Sequence, residues 1–203
     1  MNYEVLKIFP TCIYRTSLPR KFSKLELNQI KKIKKNTYRN TGNSISEDSY
    51  VLEHKVFKKL KKEIFAHIKQ YIKTVPKYKD VVPYITQSWL NFTERTEYHH
   101  RHEHPNSLIS GVLYIDADPN NDLIRFFKTK YERIKPEVTE YDIYNAESWW
   151  IAVKTGDLVI FNSEVTHRVD TKKGNNTRAS LAFNCFIRGK FGGERKLSEL
   201  EVK

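Results

Sequence analysis

The sequence predicts a mainly β protein, a sandwich or jelly roll of short strands with helices from its N-terminal region packed against it. Two observations carry this prediction. From Tyr84 onward, apolar and polar residues alternate with period two in short runs that turn residues separate. Before that point, a long segment has apolar residues at helical spacing, and a sheet is the only large apolar surface left to cover them.

The N-terminal region begins with an expected edge strand and a first helix. Residues 3–14 are rich in apolar and β-branched side chains but contain Pro10, which is typical of an edge strand or of two short strands. The first helix is predicted over residues 23–33, with Leu27, Ile30 and Ile33 on its buried side. Residues 36–49 are polar and without a period, so we expect a loop.

A longer helix is predicted from residue 51 to residue 74, ending before Pro76. Its lysines line the face opposite an apolar stripe, so the stripe should be buried. The stripe recurs every four residues and consists of Leu52, Val56, Leu60, Ile64, Ile68 and Ile72.

Seven strands are predicted in the remainder of the chain. They cover residues 84–92, 107–115, 123–127, 149–153, 157–161, 167–169 and 178–186. Residues 129–148 are polar with several tyrosines, and we expect an insertion loop over one mouth of the sheet. Trp149 and Trp150 open a strand; we expect them in the core, with a substrate-stacking platform as the alternative.

The length predicts a single domain, 1–203. Within it we expect a supporting region at about 1–80, the β core at about 81–190 and a tail at 191–203. No apolar run approaches the roughly 20 residues that span a bilayer, and the N-terminus lacks the order of a signal peptide. A cytoplasmic protein without a membrane partner is therefore expected. Two unpaired cysteines, Cys12 and Cys185, are expected to be buried thiols.

The net charge of +12 invites a nucleic-acid partner. Much of this charge lies in lysine-rich, helix-patterned residues 21–35 and 55–73, where solvated helix faces explain it equally well. Nucleic acid or another acidic partner therefore rests on net charge alone. A homodimer is left open.

Four of the seven histidines fall within six residues: His99, His100, His102 and His104. In a strand, side chains at i and i+2 point to the same face. His102 and His104 can therefore direct two imidazoles at one point, and the distant His167 can complete a metal site of three protein ligands with open positions, as in non-haem iron oxygenases. His99 and His100 are expected to be loop or surface residues.

A second motif follows His167. Arg178 and Ser180 are also i and i+2, so they share a face of the last predicted strand, while Leu181 and Phe183 point into the packed layer. A guanidinium beside a hydroxyl is suited to binding a carboxylate, because the planar fork matches two oxygens at once.

At these residues the chain resembles the Fe(II)- and 2-oxoglutarate-dependent oxygenases. More narrowly, it is similar to a family of such oxygenases common in bacteria and phages. The shared motifs are Ile8 to Thr11, His102 to Tyr114, Gly156 to Phe161 leading to His167, and Arg178 to Asn184. The resemblance covers nearly the whole chain.

The resemblance implies a double-stranded β-helix with Fe(II) and 2-oxoglutarate as cofactors. His102, His104 and His167 would be the metal ligands and catalytic residues, and Arg178 with Ser180 would bind the distal carboxylate of 2-oxoglutarate. Asn184, Ser110 and Asn91 would orient the co-substrate or the substrate. The implied reaction is hydroxylation of an unidentified small-molecule or macromolecular substrate by O2, with release of succinate and CO2.

One position departs from the wider superfamily, which has a carboxylate where this chain has His104. The departure makes the site more positive by one charge, and a His-x-His pair matches the narrower family. Glu103 could supply a carboxylate, but it should face away from His102 and His104. Asp116 and Asp118 lie beyond the next strand and are poorer candidates.

Two other functions stay open. A three-histidine iron dioxygenase of the cupin type would need no 2-oxoglutarate, and the Arg178–Ser180 pair argues against it. A jelly roll without catalysis could bind an acidic partner through its basic surface. A zinc peptidase is disfavoured, because a HExxH motif starting at His102 would need histidine where Asn106 stands.

Overall fold

The protein is described from a computed structural model, which describes residues 1–129 and 134–203. Its elements in chain order are β1 Tyr14–Ser17, α1 Lys24–Lys34, β2 Thr37–Arg39, β3 Ser44–Ser46, α2 Lys58–Thr74, β4 Val81–Thr93, β5 His99–His102, β6 Ile109–Asp116, β7 Leu123–Phe127, β8 Ser148–Ala152, β9 Asp157–Asn162, β10 His167–Val169, β11 Arg178–Phe191 and β12 Leu200–Val202.

Two antiparallel sheets form the protein. The major sheet has eight strands in the order β1-β9-β6-β11-β4-β3-β2, with β12 paired to β11. The minor sheet has four strands in the order β5-β10-β7-β8. The sheets face each other across a core to which β6, β9, β7 and β8 all contribute, with Tyr114, Phe161, Ile124 and Phe126 among its members. This arrangement confirms the predicted mainly β, jelly-roll fold.

The alternation of β11 explains why one strand serves both packing and chemistry. Leu181, Phe183 and Cys185 point outward into a core shared with α1 and α2. Arg178 and Ser180 point the other way, into the space between the sheets, because side chains alternate along a strand. Gly111 on β6 lies against the ring of Phe183, and a Cβ there would sit 2.3 Å from that ring. The close approach of β6 and β11 therefore requires glycine.

The helices follow the predicted pattern with two corrections. α1 begins after Ser23, which forms a capping box with Glu26, and buries Ile30 and Ile33 but leaves Leu27 38% exposed. The second helix begins at Lys58, not at residue 51, because residues 51–53 and 55–57 form two short 3-10 turns. The stripe is buried as predicted at Leu52, Leu60, Ile64, Ile68 and Ile72, and Val56 is partly buried.

Other segments differ from the prediction. Residues 36–49, expected as a loop, contain the hairpin β2–β3, which extends the major sheet beside β4. The N-terminal strand covers only Tyr14–Ser17, paired with β9. In the insertion loop predicted over 129–148, residues 130–133 lie outside the described residues, and residues 134–147 contain no helix or strand.

The two tryptophans and one cysteine are more exposed than predicted. Trp149 is 38% and Trp150 47% exposed, and their rings stack on each other at 5.3 Å, so the core prediction for them is wrong. Cys185 is buried as expected, but Cys12 is exposed. No helix within the described residues is long and apolar enough to cross a membrane.

Candidate active site

Three histidines meet where β5 and β10 pair. His102 is the last residue of β5 and lies directly opposite His167, the first residue of β10. His104 lies two residues past the end of β5, and its backbone N–H donates to the carbonyl of Ser163 at 3.1 Å. The predicted strand therefore ends earlier than the His-x-His pair requires, and this backbone hydrogen bond holds His104 in place.

The three rings are close enough to share one metal ion. Their nitrogens lie within 4.8 Å of one another. The ring centroids are 4.9 Å apart for His102 and His104, 4.4 Å for His102 and His167, and 5.1 Å for His104 and His167. The Nε2 atoms of His104 and His167 are 3.4 Å apart. Neighbouring ligands at metal–nitrogen distances of about 2.1 Å are roughly 3 Å apart, so a small closure would suffice.

Hydrogen bonds fix which nitrogen of two histidines faces the cluster. The Nδ1 of His102 lies 2.8 Å from the carbonyl of His100, and the Nδ1 of His167 lies 2.9 Å from the carbonyl of Val165. A carbonyl accepts only, so each Nδ1 donates and each Nε2 keeps its lone pair for a ligand. Burial lowers the pKa of His104 to about 4 and that of His167 to about 3. Both rings are therefore neutral near pH 7, as metal binding requires.

His99 and His100 are closer to this cluster than the sequence suggested. Both belong to β5, and His99 stacks on His102 at 4.5 Å. With His102 they form a second group of three histidines that could hold a metal. Both groups need the single free nitrogen of His102, so they exclude each other. The Nε2 of His99 already lies 3.4 Å from the Asn40 amide nitrogen, which leaves the group with His104 and His167 better prepared.

The described residues place no carboxylate in the histidine group. Glu103 is exposed and accepts a hydrogen bond from the Thr166 hydroxyl, so it points away as expected. Asp116 is exposed and accepts from Asn176, and Asp118 belongs to a turn with Asn120 and Asn121. We call His102, His104 and His167 the histidine end of the pocket.

A polar row crosses the major sheet at the other end of the same space. Ser180 on β11 pairs with Asn91 on β4 on one side and with Tyr114 on β6 on the other. The Tyr114 hydroxyl and the Asn91 Oδ1 are buried without a hydrogen-bond partner among the described residues. Arg178, two residues before Ser180, is 2% exposed. We call Arg178, Ser180, Tyr114 and Asn91 the arginine end.

Unpaired buried polar atoms are costly, so they indicate a missing partner. Burial raises the pKa of Tyr114, which keeps its phenol protonated and able to donate. Burial lowers the pKa of Arg178 and the neighbouring Asp122 opposes this shift, but a guanidinium stays charged at working pH. A cation with hydroxyl donors beside it fits a carboxylate.

Among the described residues, Arg178 has one side-chain partner. Its Nη1 lies 3.3 Å from an oxygen of Asp122, and the same carboxylate contacts the ammonium of Lys172 at 3.0 Å. Asp157 and Asp170 do not contact Arg178 and pair instead with Arg15 and Arg125.

Two predicted residues lie in a separate network. The Ser110 hydroxyl is 2.9 Å from Asn184 Oδ1 and 2.8 Å from the Ser163 hydroxyl. Ser163 also donates to Ser107 and accepts, through its carbonyl, from His104. Ser110 and Asn184 therefore support the segment that holds His104, whereas Asn91 lies beside Ser180.

Sequence reasoning missed four residues: Tyr114, Asp122, Lys172 and Trp89. Tyr114 was detectable, because it lies four residues after Ser110 on one strand and thus on the same face. Trp89 lies on the inner face of β4, 5.8 Å from the ring of His104, and alternation could have placed it there. Asp122 and Lys172 come from turns with no periodic signal.

The fold and site define a jelly roll of two facing antiparallel sheets, with a three-histidine candidate metal site and a buried arginine between them. Residues 87–184 match the family described as "Putative 2OG-Fe(II) oxygenase". The matched segment contains both ends of the pocket. The match covers 98 of the 203 residues and confirms the predicted resemblance to the 2OG-Fe(II) oxygenases. No curated protein matches the sequence.

Solved structures share the fold at low sequence identity. An oxidoreductase of the 2OG-Fe(II) oxygenase family from Burkholderia pseudomallei is 12% identical, with 84% of this chain and 83% of that chain covered and a TM-score of 0.56. A prolyl-4-hydroxylase from Pseudomonas putida is 14% identical, with coverage of 86% and 92% and a TM-score of 0.55. The epimerase SnoN in complex with Fe3+, alpha ketoglutarate and nogalamycin RO is 10% identical, with coverage of 94% and 86% and a TM-score of 0.62.

Proposed function

We propose that this protein is an Fe(II)- and 2-oxoglutarate-dependent dioxygenase that hydroxylates a substrate. The observation that carries the proposal is the pairing of two sites in one space. Neutral imidazoles converge at one end, and at the other a buried guanidinium with one carboxylate contact, at 3.3 Å, lies near the unpaired hydroxyl of Tyr114. A ligand with a metal-chelating group and a distal carboxylate would occupy both.

The histidine end would hold the metal through the Nε2 atoms of His102 and His167 and a nitrogen of His104. Three neutral imidazoles leave further coordination positions for 2-oxoglutarate and O2. Because the imidazoles are uncharged, they do not neutralise the charge of the metal. The two negative charges of 2-oxoglutarate would do so, in place of the carboxylate ligand that the wider superfamily has.

The arginine end would bind the distal carboxylate. Arg178 offers N–H groups beyond the one that contacts Asp122, and Ser180 and Tyr114 offer hydroxyls. Asn91, the fourth member of the polar row, can donate through its amide once its orientation is set by the ligand. Ala182 follows Ser180 on the same face, and its small side chain leaves room for the carbon chain of the co-substrate.

When bound, Fe(II) with 2-oxoglutarate would supply O2 activation, in which one oxygen atom would enter a C–H bond and the other would enter the succinate that leaves with CO2. The protein contributes orientation and exclusion of water. Trp89, Phe161 and Phe126 surround the histidines with apolar surface, and the ring of Phe161 lies 4.7 Å from that of His167.

The substrate stays unidentified. The structural neighbours include a prolyl-4-hydroxylase and an epimerase bound to nogalamycin RO, so the shared fold does not select one substrate class. A cytoplasmic location, a homodimer and a nucleic-acid partner stay predictions from the sequence.

The test is anaerobic reconstitution with Fe(II) followed by 2-oxoglutarate, monitored for the visible metal-to-ligand charge-transfer band. We expect the band in the wild type and in a His54→Ala control, whose histidine lies on the surface beside Asp48. Iron bound by the wild type without any band on adding 2-oxoglutarate would contradict the proposal and favour the three-histidine dioxygenase. No bound iron would favour a binding module.

A further inference from the structure

Two residues that belong to none of the sequence motifs complete the arginine end. Asp122 immediately precedes β7, and Lys172 lies in the connection between β10 and β11. Both side chains are 0% exposed, and that of Arg178 is 3% exposed. Lysine and aspartate are almost never fully buried unless they are paired, so the burial of this group requires an explanation.

The contacts within the group are unequal. The Lys172 ammonium contacts both oxygens of Asp122, at 3.0 and 3.1 Å. Arg178 contacts one of them, at the longer distance of 3.3 Å. The second oxygen also accepts from the backbone N–H of Asp118 at 2.9 Å. Asp122 is therefore engaged mainly by Lys172 and by its own turn, and Arg178 keeps most of its donors free.

The charges do not cancel. Two buried cations against one buried carboxylate leave a net charge of +1. Two other carboxylates, Glu94 and Asp118, interact with Lys172 but are partly exposed and have partners of their own. Glu94 pairs with Lys34, and Asp118 accepts from Asn120 and Asn121, so water and these partners screen both charges. One further carboxylate would neutralise the group, and the unpaired hydroxyl of Tyr114 lies on the strand next to Arg178.

Backbone hydrogen bonds hold Lys172 where it is. Its N–H donates to the carbonyl of Glu97 at 2.8 Å, and its own carbonyl accepts from Thr96 at 2.9 Å. These bonds tie the connection before β11 to the end of β4. The neighbouring Lys173 is exposed, so only one of the two adjacent lysines is directed inward.

We propose that Asp122 and Lys172 are positioning residues for the carboxylate end of the co-substrate. Asp122 anchors the guanidinium of Arg178, and Lys172 offsets the charge of Asp122, which would otherwise neutralise Arg178 and repel the ligand carboxylate. The inference rests on the proposed function for the identity of the ligand, but the need for one anion follows from the charges alone.

Four proteins, the wild type and three variants, differ in the charge of the group and have the same histidines. The wild type has a net charge of +1, Lys172→Met has 0, Asp122→Asn has +2, and the double variant returns to +1. We expect Lys172→Met to weaken 2-oxoglutarate binding by about tenfold or more, the range of a charged hydrogen bond. The double variant should recover most of this loss, and the matched control Lys173→Met should show none.

The measurements are the dissociation constant of 2-oxoglutarate from the charge-transfer band and iron stoichiometry. A role confined to folding predicts that both single variants lower thermal stability while the affinity does not follow net charge. Wild-type affinity in folded Lys172→Met, or a double variant that binds as weakly as Lys172→Met, would overturn the inference.

A second probe separates this inference from the proposed function. Glutarate has the distal carboxylate but lacks the keto group that chelates a metal. The increase in thermal stability that glutarate gives the metal-free protein should follow the order of the group's net charge across the wild type and the three variants. If the wild type shows no charge-transfer band but glutarate follows this order, the function is wrong and the anion site stands. If the band forms and neither ligand follows the order, the function stands and the positioning role is wrong.

Discussion

The histidine end and the arginine end of the pocket lie on different sheets and handle charge in different ways. The histidines belong to the short strands β5 and β10 and to the segment after β5, and burial keeps them neutral. Arg178 and Ser180 lie at the start of β11, a long central strand. Arg178 carries a permanent positive charge among buried partners.

The difference indicates how each end selects its ligand. Neutral imidazoles accept a cation without having to lose protons at pH 7, so the histidine end depends on ring position and tautomer. The arginine end depends on a charge that the fold leaves unneutralised. A substitution at the arginine end should therefore leave metal binding intact, and the predictions test this independence. Loss of the metal should also weaken 2-oxoglutarate binding, because the co-substrate would contact both ends.

The largest expected effect is loss of the metal in His167→Ala. Removing one of three ligands should reduce Fe(II) affinity at least 100-fold. The group of His99, His100 and His102 should not compensate, because His102 is its only member whose Nδ1 donates to a carbonyl and so leaves Nε2 free for a metal. Iron stoichiometry after desalting measures this, and Glu103→Gln is the matched control, since Glu103 contacts Thr166 instead. Full iron occupancy in His167→Ala would mean that His99 and His100 form the metal site.

The next effect is on co-substrate binding in Arg178→Gln. Iron binding should be retained while 2-oxoglutarate affinity falls about 100-fold, the order expected for a lost charged, bidentate contact. Titration of the charge-transfer band measures it. Arg125→Gln is the control, because Arg125 pairs with Asp170 outside the pocket. A parallel loss of iron in Arg178→Gln would show that the two ends are not independent.

A smaller effect is expected for Tyr114→Phe. Its hydroxyl is buried without a partner among the described residues, so its removal should leave the free energy of unfolding unchanged or slightly raised. Affinity for 2-oxoglutarate should nevertheless fall by roughly 5- to 10-fold, the value of one hydrogen bond. Urea unfolding and ligand titration on the same sample separate the two. A clear loss of stability would mean that the hydroxyl serves the fold.

The smallest effect is a pH dependence of the metal-free protein. Above pH 6.5 the buried histidines are neutral in both states. Below pH 6.5 these histidines take up protons in the unfolded chain. In the folded protein His104 and His167 stay neutral, because their pKa values are lowered to about 4 and about 3. The free energy of unfolding should therefore fall between pH 6.5 and pH 5. Urea midpoints measure the slope, which His104→Asn should reduce; an unchanged slope would mean that His104 is not buried as a neutral ring.

Local chemistry made much of the protein predictable. The alternation along β11 correctly predicted that Arg178 and Ser180 share one face, and the four-residue stripe of α2 correctly predicted its buried side. The sequence pattern gave a wrong prediction where the exposure of a side chain depends on the neighbouring strands. Trp149 and Trp150 resemble core residues, but β8 is the edge strand of the minor sheet, so one side of the strand has no neighbour to cover them.

The sequence by itself determined the fold class, the candidate metal-binding histidines and the candidate carboxylate-binding pair, because period-two alternation and residue chemistry are local properties. Only the tertiary structure decided that His104 is held by Ser163, that His99 and His100 lie close to the cluster, and that Asp122 and Lys172 join Arg178. Asp122, for example, lies 50 positions from Lys172 and 56 positions from Arg178 in the chain. Contacts at such separations depend on how the sheets pair and on which charges are removed from water, and no local pattern encodes either.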